Sequence, residues 1–321
     1  MKTPAASREQ TTSRSPVVDF DTVMLLAYGG PRSVQEIRPF LQRVLEGIEV
    51  PEARMQALVE RYLSIGGFSP INELTSGQAR ALQAELKERG VTLPVTFAMR
   101  HAPPFIGDVV YELSRRGVKT IRCIVMAPFR SEASYQRYQK QVDDALEALG
   151  SRAPLVSYAS SFHTAPGFIA AVADNVKTAF SSIQPRARER ATLVFTAHSI
   201  PLAMAKTSTY AQELQRSAGL VASALARERF RVCFQSRSGP ARLPWLGPEI
   251  VEVIEQEALQ GTSHLVVAPI GFVCDHLEVL YDLDIEAKEV ALQRGMDFFR
   301  VATVNRHPRF IQALADIVTS E

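Results

Sequence analysis

The alternation of short apolar runs with helix-like segments is the feature of this sequence that most restricts its fold. The runs are rich in Val, Ile, Leu and Phe, and amphipathic helical patterns separate them. They span residues 21–28, 95–99, 120–127, 154–159, 192–197, 231–235, 264–270 and 298–302. Most are continuously apolar, which is typical of strands buried on both faces of a parallel sheet. The sequence therefore predicts an α/β fold with doubly wound parallel strands.

The predicted strands divide into two groups of four, with a Gly- and Pro-containing break near residue 150. We therefore predict two smaller α/β domains, at residues 18–150 and 151–305. A terminal helix within 306–321 is expected to return to the first domain. Residues 1–17 are rich in Ser, Thr, Pro and charge and contain no apolar run, so they are predicted to form a disordered tail.

The charge balance and the cysteines exclude several classes of protein. The 321-residue chain has 36 basic and 34 acidic side chains and a formal net charge of +2, which does not favour binding to nucleic acid. Its three cysteines are never paired as C-x-x-C, which suits a reducing compartment and disfavours a disulfide framework or a cysteine-ligated metal. No apolar run reaches the roughly 18 residues that a transmembrane segment needs. We expect a cytoplasmic protein, and a monomer.

An acidic segment, residues 271–287, follows the seventh predicted strand. At 100° per residue, Glu278, Asp282 and Glu286 fall within roughly 80° of one another on a helix, and a π-type widening would align them better. Like charges on one stripe repel, and a path for a hard cation would justify that cost. The alternative is an ordinary solvated helix face. In the same segment, His276 is expected either to orient a neighbouring carboxylate or to bind a ligand.

Several polar residues lie at the carboxyl ends of predicted strands, where open α/β sheets bind ligands. His198 follows the fifth strand, and Gln235 and Ser236 follow the sixth. The imidazole of His198 is suited to act as a base or a metal ligand, with a structural role as the alternative. Ser199 does not indicate a hydrolase, because adjacent side chains of an extended chain point apart and no G-x-S-x-G elbow is present. The glycine-rich nucleotide fingerprints are absent from the sequence.

Six segments together resemble the ferrochelatase family, the enzymes that insert ferrous iron into a porphyrin. They occur in the family's order and spacing, and the similarity covers nearly all of residues 20–318. The combination of AHSIP with GFVCDHLEVLYDLD is its most specific part. The segments are LLAYGGP (25–31), RYLSIGGFSPINELT (61–75), APFRSEASYQRY (127–138), FTAHSIP (195–201), FQSRSGPARLPWLGP (234–248) and GFVCDHLEVLYDLDIEAK (271–288).

The resemblance implies a chelatase-like architecture of two Rossmann-like domains with a porphyrin cleft between them. It implies that His198 binds the metal and accepts protons, and that Glu278 is the carboxylate facing it, so both are the expected catalytic residues. Asp282 and Glu286 match the acidic line that leads from Glu278 to solvent, which completes the expected metal ligands. Tyr28 matches an axial ligand of members that use coproporphyrin III. The positions that hold the porphyrin's propionates and rim match Arg61, Tyr62, Ser69 and Tyr138.

These expectations lead to a mechanism. His198 and Glu278 are expected to face each other across the ring centre, and like charges at Asp282 and Glu286 to raise the proton affinity of Glu278. Fe²⁺ and a porphyrin, preferably coproporphyrin III, are the expected substrates, in haem biosynthesis. The alternatives are a protoporphyrin IX ferrochelatase, a cobalt or nickel tetrapyrrole chelatase, and a non-catalytic porphyrin or haem carrier.

Two segments depart from the family's pattern. Leu45 stands where coproporphyrin-type members often have an arginine, so part of the carboxylate clamp is expected to differ. The segment AKTSTYAQ (205–212) replaces a Gly-Asp-Pro-Tyr-Pro sequence. No cysteine follows Cys274, and neither a [2Fe–2S] cluster nor another permanently bound cofactor is expected. Residues 66–71 form either an apolar lip, which would allow peripheral membrane contact, or a simple connection between helices.

Overall fold

The structure, a computed structural model, describes residues 19–238 and 243–320, and the predicted tail at 1–17 lies outside them. The strands of these ranges are β1 (Thr22–Ala27), β2 (Val95–Met99), β3 (Thr120–Val125), β4 (Leu155–Tyr158), β5 (Thr192–His198), β6 (Phe230–Gln235), β7 (His264–Ala268) and β8 (Asp297–Arg300). The α-helices are α1 (Val34–Val44), α2 (Glu52–Ser64), α3 (Ile71–Glu88), α4 (Ile106–Arg115), α5 (Arg137–Leu149), α6 (Pro166–Ser181), α7 (Pro185–Arg188), α8 (Leu202–Lys206), α9 (Tyr210–Ala224), α10 (Ile250–Leu259), α11 (Leu277–Leu280), α12 (Lys288–Gln293) and α13 (Pro308–Ser320). In these same ranges, no helix is both long and apolar enough to span a bilayer.

The strands of the described residues form two four-stranded sheets of the same design. The first has the order β2-β1-β3-β4 and the second has the order β6-β5-β7-β8. Every strand pair in them is parallel, which the helical crossovers between consecutive strands make feasible. The predicted fold class, α/β with two Rossmann-like parallel sheets, is confirmed.

Burial explains why the inner strands β1 and β5 are continuously apolar. All residues of β1 are buried, and so are all residues of β5 except His198. Strands covered on both faces have this composition. The largest departure from the predicted pattern is β4, whose Leu155 is 75% exposed. This strand lies at the edge of its sheet, where it pairs with one strand only and its other side is open.

The strand order reverses between β1 and β3 in the first sheet and between β5 and β7 in the second. At such a switch point the connections leave toward opposite faces, and a crevice opens at the carboxyl ends of the strands. Tyr28 follows β1, His198 ends β5, and the acidic segment follows β7. The topology therefore places Tyr28, His198 and the acidic segment at the two switch points.

The acidic segment differs from a regular helix. Its helical part begins with α11, a single turn, and continues as the π-helix Asp282–Ala287. This widening agrees with the geometry that would align the carboxylates. Helix α5 is likewise preceded by a π-helical turn, Glu132–Gln136. Because π-helical turns are rare and concentrate at functional sites, both positions favour a role in ligand binding.

Hydrogen bonds and ion pairs join the two halves of the chain. The buried amide of Gln78, on α3, donates to the carbonyl oxygen of Val273 at 3.2 Å and to that of Asn305 at 2.8 Å. Nε of Arg130 donates to the buried carboxylate of Glu213 at 2.7 Å. Helix α13 packs against α3 and also against α6, so the division into domains at residue 150 stays a proposal.

Candidate active site

His198 ends β5 with its ring held by backbone contacts. Its Nδ1 donates a hydrogen bond to the carbonyl oxygen of Ser199, and the hydroxyl of Tyr210 donates to the carbonyl of His198 at 2.9 Å. A carbonyl oxygen only accepts, so the proton of the neutral ring lies on Nδ1. The lone pair of Nε2 is therefore available for a proton or a metal ion. Nε2 lies 3.5 Å from Oε1 of Glu278.

Glu278 reaches His198 because the loop after β7 passes closely over β5. The N–H of Gly271 donates to the carbonyl of Thr196 at 3.0 Å. A Cβ at Gly271 would lie 2.5 Å from the Cβ of Ala197, a distance that two carbon atoms do not tolerate. Only glycine fits at this crossing. The chain then enters α11, whose second residue is Glu278.

The carboxylate of Glu278 is held between two imidazoles. Nε2 of His276 lies 3.3 Å from Oε2, and His198 approaches the other oxygen. Burial raises the pKa of Glu278. The positive charge that His198 carries when it is protonated, and the hydrogen bond and charge of His276, outweigh burial and lower the pKa of Glu278 to about 2. The expectation that Asp282 and Glu286 raise the proton affinity of Glu278 is therefore wrong. Of the two roles expected for His276, its contact supports orientation of a neighbouring carboxylate.

Asp282, the next carboxylate of the segment, has the opposite shift. Its side chain is buried and accepts a hydrogen bond from the hydroxyl of Ser236. Burial is the largest influence and raises the pKa of Asp282 to about 6; the Ser236 bond lowers it, and the negative charge of Glu278 raises it. At neutral pH, Asp282 is therefore much closer to taking up a proton than Glu278 is.

Arg61 provides the counter-ion for the outer part of the acidic segment. Its Nη1 lies 3.6 Å from Oδ1 of Asp282, and its Nη2 lies 3.1 Å from Oε1 of Glu286. The guanidinium also lies 4.8 Å from the ring centroid of Tyr281. Arg61 belongs to α2, so these contacts link the two halves of the chain. The role at the porphyrin's carboxylates that the sequence assigns to Arg61 stays a prediction.

Three tyrosines of the first half are close enough to the facing pair, His198 and Glu278, for the charge of Glu278 to affect their pKa values. Burial is the main cause that raises the pKa of Tyr28, Tyr62 and Tyr138, and the negative charge of Glu278 contributes to each shift. The phenols therefore stay protonated and can donate hydrogen bonds. The ring centroid of Tyr28 lies 4.7 Å from that of His101. The structure thus brings all three predicted tyrosines toward the predicted carboxylate.

Ser69 lies in the loop between α2 and α3, against the loop that follows β1. Its N–H donates to the carbonyl of Pro31 at 2.8 Å. A Cβ at Gly30 would lie 2.5 Å from the Cβ of Ser69, so glycine is needed for this approach. Next to it, Leu63 and Phe68 are 46% and 47% exposed. Of the apolar side chains within residues 66–71, Phe68 is therefore exposed and Ile71 is buried, with the exposed Leu63 beside them at the end of α2.

Sequence reasoning missed two residues of the site and gave Gln235 no specific role. Tyr210, under His198, lies in the segment that departs from the family's pattern and gave no signal. Arg100 follows β2, and that strand-end position was an available signal. Its guanidinium lies 5.9 Å from the ring centroid of Tyr138, and its buried Nε has no hydrogen-bond partner in the described part of the chain.

Basic groups surround the buried imidazole of His101. Burial lowers the pKa of His101, and the charges of Arg100, Arg43 and Arg137 lower it further, to about 4. Nε of Arg43 donates to the carbonyl of His101 at 2.9 Å. Although Leu45 replaces an arginine of the expected clamp, this side of the site therefore retains several positive charges.

The same surroundings make folding stability depend on pH. The pKa of His101 in the folded protein, about 4, lies below its ordinary value of 6.5. The stability that comes from a neutral ring is therefore present above pH 6.5 and is lost as the pH falls toward 4. Between pH 7 and pH 5, the wild-type free energy of unfolding should fall by about 2 kcal/mol more than that of His101→Asn. Urea unfolding at both pH values measures this, and equal losses in the two proteins would contradict it.

The facing pair combines two chemical abilities at one point. The Nε2 lone pair of His198 can remove a proton, and the ionised carboxylate of Glu278 can bind a cation. Within residues 19–238 and 243–320, no three His, Cys, Asp or Glu side chains converge into a metal site by themselves. The pair therefore offers two groups able to bind a metal ion, with Asp282 and Glu286 farther along the same segment.

Comparison with known proteins agrees with this geometry. The family model described as Ferrochelatase matches residues 21–321. The chain is 36% identical over 304 residues to the coproporphyrin III ferrochelatase of Mycolicibacterium smegmatis, which covers 94% of this chain and 89% of that protein. It is 36% identical over 300 residues to the ferrochelatase of Rhodopirellula baltica, covering 93% of this chain and 85% of that protein.

Among solved structures, SirB from Bacillus subtilis with Fe³⁺ matches with a TM-score of 0.59 at 11% sequence identity, covering 92% of this chain and 93% of that chain. At this identity the likeness concerns the fold alone, which is that of a chelatase. The match to the family model is a match of sequence. It extends over both sheets and over the segments that carry His198 and Glu278. On these grounds the chain belongs to the ferrochelatase family.

Proposed function

We propose that this protein inserts Fe²⁺ into coproporphyrin III, as a step of haem biosynthesis. The facing pair carries the proposal, since Nε2 of His198 and Oε1 of Glu278 lie 3.5 Å apart at the switch point of the second sheet. The name of the M. smegmatis relative, coproporphyrin III ferrochelatase, supports the choice of metal and ring. A base and an anionic ligand at one point are what insertion of a cation into a protonated ring needs.

The first task of the site is to remove two protons. A free porphyrin holds them on its ring nitrogens, and the metal cannot enter until they leave. Nε2 of His198 is available and accepts one proton at a time, so the first proton has to pass to another acceptor before the second leaves the ring. Asp282, whose pKa burial raises to about 6, is suited to receive it. Binding energy from the rest of the macrocycle bends the ring, so that the pyrrole nitrogens point out of plane toward the base.

The second task is to deliver the metal. Glu278 remains ionised between its two imidazoles and can hold Fe²⁺ as the cation loses its water. Asp282 and Glu286 supply oxygen ligands on the way from solvent. In the substrate-free protein Arg61 offsets one of their two negative charges. Arg61 therefore has to leave these carboxylates when the cation arrives, and a propionate of the porphyrin offers it a new partner.

The preference for coproporphyrin III rests on the carboxylates of the porphyrin. Coproporphyrin III carries four propionates, more than protoporphyrin IX, and each needs a cationic or hydroxyl partner. Arg61 and the arginines around His101 supply the cations, and the resemblance assigns Ser69 and Tyr138 to the same task. The resemblance of Tyr28 to the axial ligand of coproporphyrin-type members points to the same ring.

A comparison of the two porphyrins tests this preference. Anaerobic Fe²⁺ insertion into coproporphyrin III and into protoporphyrin IX should be followed by absorbance with the same purified protein. We expect kcat/KM to be at least about tenfold higher for coproporphyrin III, because one lost charge-assisted hydrogen bond costs about 1.5–3 kcal/mol. Insertion of Zn²⁺ in parallel controls for oxidation of the iron. Faster turnover of protoporphyrin IX would overturn the choice of ring, and no insertion into either would overturn the function.

The cellular compartment and the oligomeric state of the protein are two further proposals. Cys123, Cys233 and Cys274 are buried and unpaired, and free thiols are typical of a reducing compartment such as the cytoplasm. We further propose a monomer, because both sheets and the facing pair lie within one chain. Light scattering of the purified protein measures its mass in solution, and a dimer would contradict the proposal.

A further inference from the structure

We infer that Gln235 is a positioning residue whose buried side chain sets the separation between His198 and Glu278. Gln235 ends β6 and is 0% exposed. Its Oε1 accepts a hydrogen bond from the hydroxyl of Thr196 at 2.7 Å, and its Nε2 donates to the backbone carbonyl of Glu278 at 2.5 Å. The amide thus connects β5 to the single turn that carries the carboxylate. The inference rests on the proposed function.

The backbone of the same residue holds the other partner. The carbonyl of Gln235 accepts the N–H of Ser199 at 2.7 Å, and the carbonyl of Ser199 accepts the Nδ1 proton of His198. Gln235 therefore contacts both Ser199, whose carbonyl orients the imidazole, and the backbone of Glu278, which carries the carboxylate. A shift of the Gln235 side-chain amide would change the distance between Nε2 of His198 and Oε1 of Glu278.

The chemistry of the position requires an amide. It must accept from a hydroxyl and donate to a carbonyl at the same time, which a carboxylate or a hydrocarbon cannot do. Helix α11 has four residues, and a helix this short has few internal hydrogen bonds to fix its direction. The direction of Glu278 therefore depends on external contacts such as the one from Gln235.

Replacement of Gln235 by methionine should weaken metal handling specifically. Groups that orient metal ligands typically change metal affinity by about tenfold to a hundredfold. We expect a loss of this size in the affinity of the substrate-free protein for Co²⁺, titrated as cobalt chloride and followed by its visible absorption bands. In the insertion assay, KM for the metal should rise while KM for the porphyrin stays unchanged.

The strand that carries Thr196 offers a milder variant and a matched control. Thr196→Val removes the hydroxyl that orients Gln235 and should weaken cobalt binding in the same direction, to a smaller extent. Thr192→Val removes a hydroxyl on the same strand that donates to the buried carboxylate of Glu257 at 2.8 Å. Thr192 begins β5, at the end opposite His198. Thr192→Val should therefore lower the thermal stability of the protein without changing its affinity for Co²⁺.

The outcomes separate a positioning role from a structural one. The inference is overturned if Gln235→Met folds and binds Co²⁺ with wild-type affinity, or if Thr192→Val weakens cobalt binding as much as Thr196→Val does. A wild-type protein that binds no Co²⁺ overturns it as well, because the pair would then not handle metal. A wild-type protein that binds Co²⁺ without inserting Fe²⁺ overturns the proposed function instead, and the cobalt titrations of the variants still decide the role of Gln235.

Discussion

A His198→Ala protein is expected to lose Fe²⁺ insertion by at least about a thousandfold while it still folds and binds porphyrin. The substitution removes Nε2, which faces Glu278 at 3.5 Å and is the proposed proton acceptor. General base catalysis alone contributes about 10²–10⁴-fold, and the loss of a metal-binding nitrogen adds to it. Anaerobic insertion into coproporphyrin III, followed by absorbance, measures the rate, and porphyrin fluorescence measures binding.

His264 provides a matched control for this substitution. It lies in the same sheet and contacts a carboxylate, with Nε2 3.3 Å from Oδ2 of Asp297. His264, however, begins β7, whereas His198 ends β5. Because the strands are parallel, the two residues lie at opposite ends of the strands, His264 at the amino end and His198 at the carboxyl end. His264→Ala should therefore leave insertion unchanged. A His198→Ala rate within tenfold of the wild-type rate would remove the imidazole from the mechanism.

The second large effect is expected from Glu278→Gln. The amide preserves the shape of the side chain and removes its charge, so the site loses its anionic ligand and the group that faces His198. Preorganised charges of this kind are worth about a hundredfold to a thousandfold in rate. We expect kcat to fall by that factor and KM for the metal to rise, with little change in porphyrin binding. Initial rates at varied Fe²⁺ and porphyrin concentrations separate these effects.

A spectroscopic measurement on the same variant tests the electrostatics directly. Burial lowers the pKa of His276, but the hydrogen bond and charge of Glu278 outweigh it and hold the pKa above its ordinary value. In Glu278→Gln the burial remains and the charge is gone, so the pKa of His276 should fall, which an NMR titration detects. Asp284→Asn removes an equivalent charge from the same segment, where Asp284 pairs with Arg300 at 2.8 Å. It should change neither the His276 titration nor KM for the metal.

Periodicity accounts for how well the fold could be predicted. The apolar runs of the chain became the eight strands of the described residues, because strands buried on both faces need continuous apolar sequence. The wrong detail was the burial of β4, since edge position depends on strand order and no local pattern encodes strand order. The position of His198 at a strand end was predictable for the same reason as the strands.

The electrostatics of the site were not predictable in this way. Spacing showed that three carboxylates share a stripe, and it suggested that their repulsion would raise the proton affinity of Glu278. The pKa is instead lowered to about 2 because His198 and His276 contact its two oxygens. One of these imidazoles comes from a strand 80 positions away in the sequence. Coulomb interactions depend on distance in space, which a stripe on one helix does not reveal.

The sequence by itself determined the α/β class, the strand-end position of His198, the acidic stripe and the family resemblance, because each depends on local pattern or on order along the chain. The resemblance already led us to expect that His198 and Glu278 face each other; the tertiary structure alone gave their separation of 3.5 Å. It also decided that Arg61 pairs with Asp282 and Glu286, and that Gln235 contacts the backbone of Ser199 and of Glu278. These contacts join segments that are far apart in the sequence. Their distances follow from how two sheets and their loops pack, since each close approach depends on atoms contributed by several elements at once.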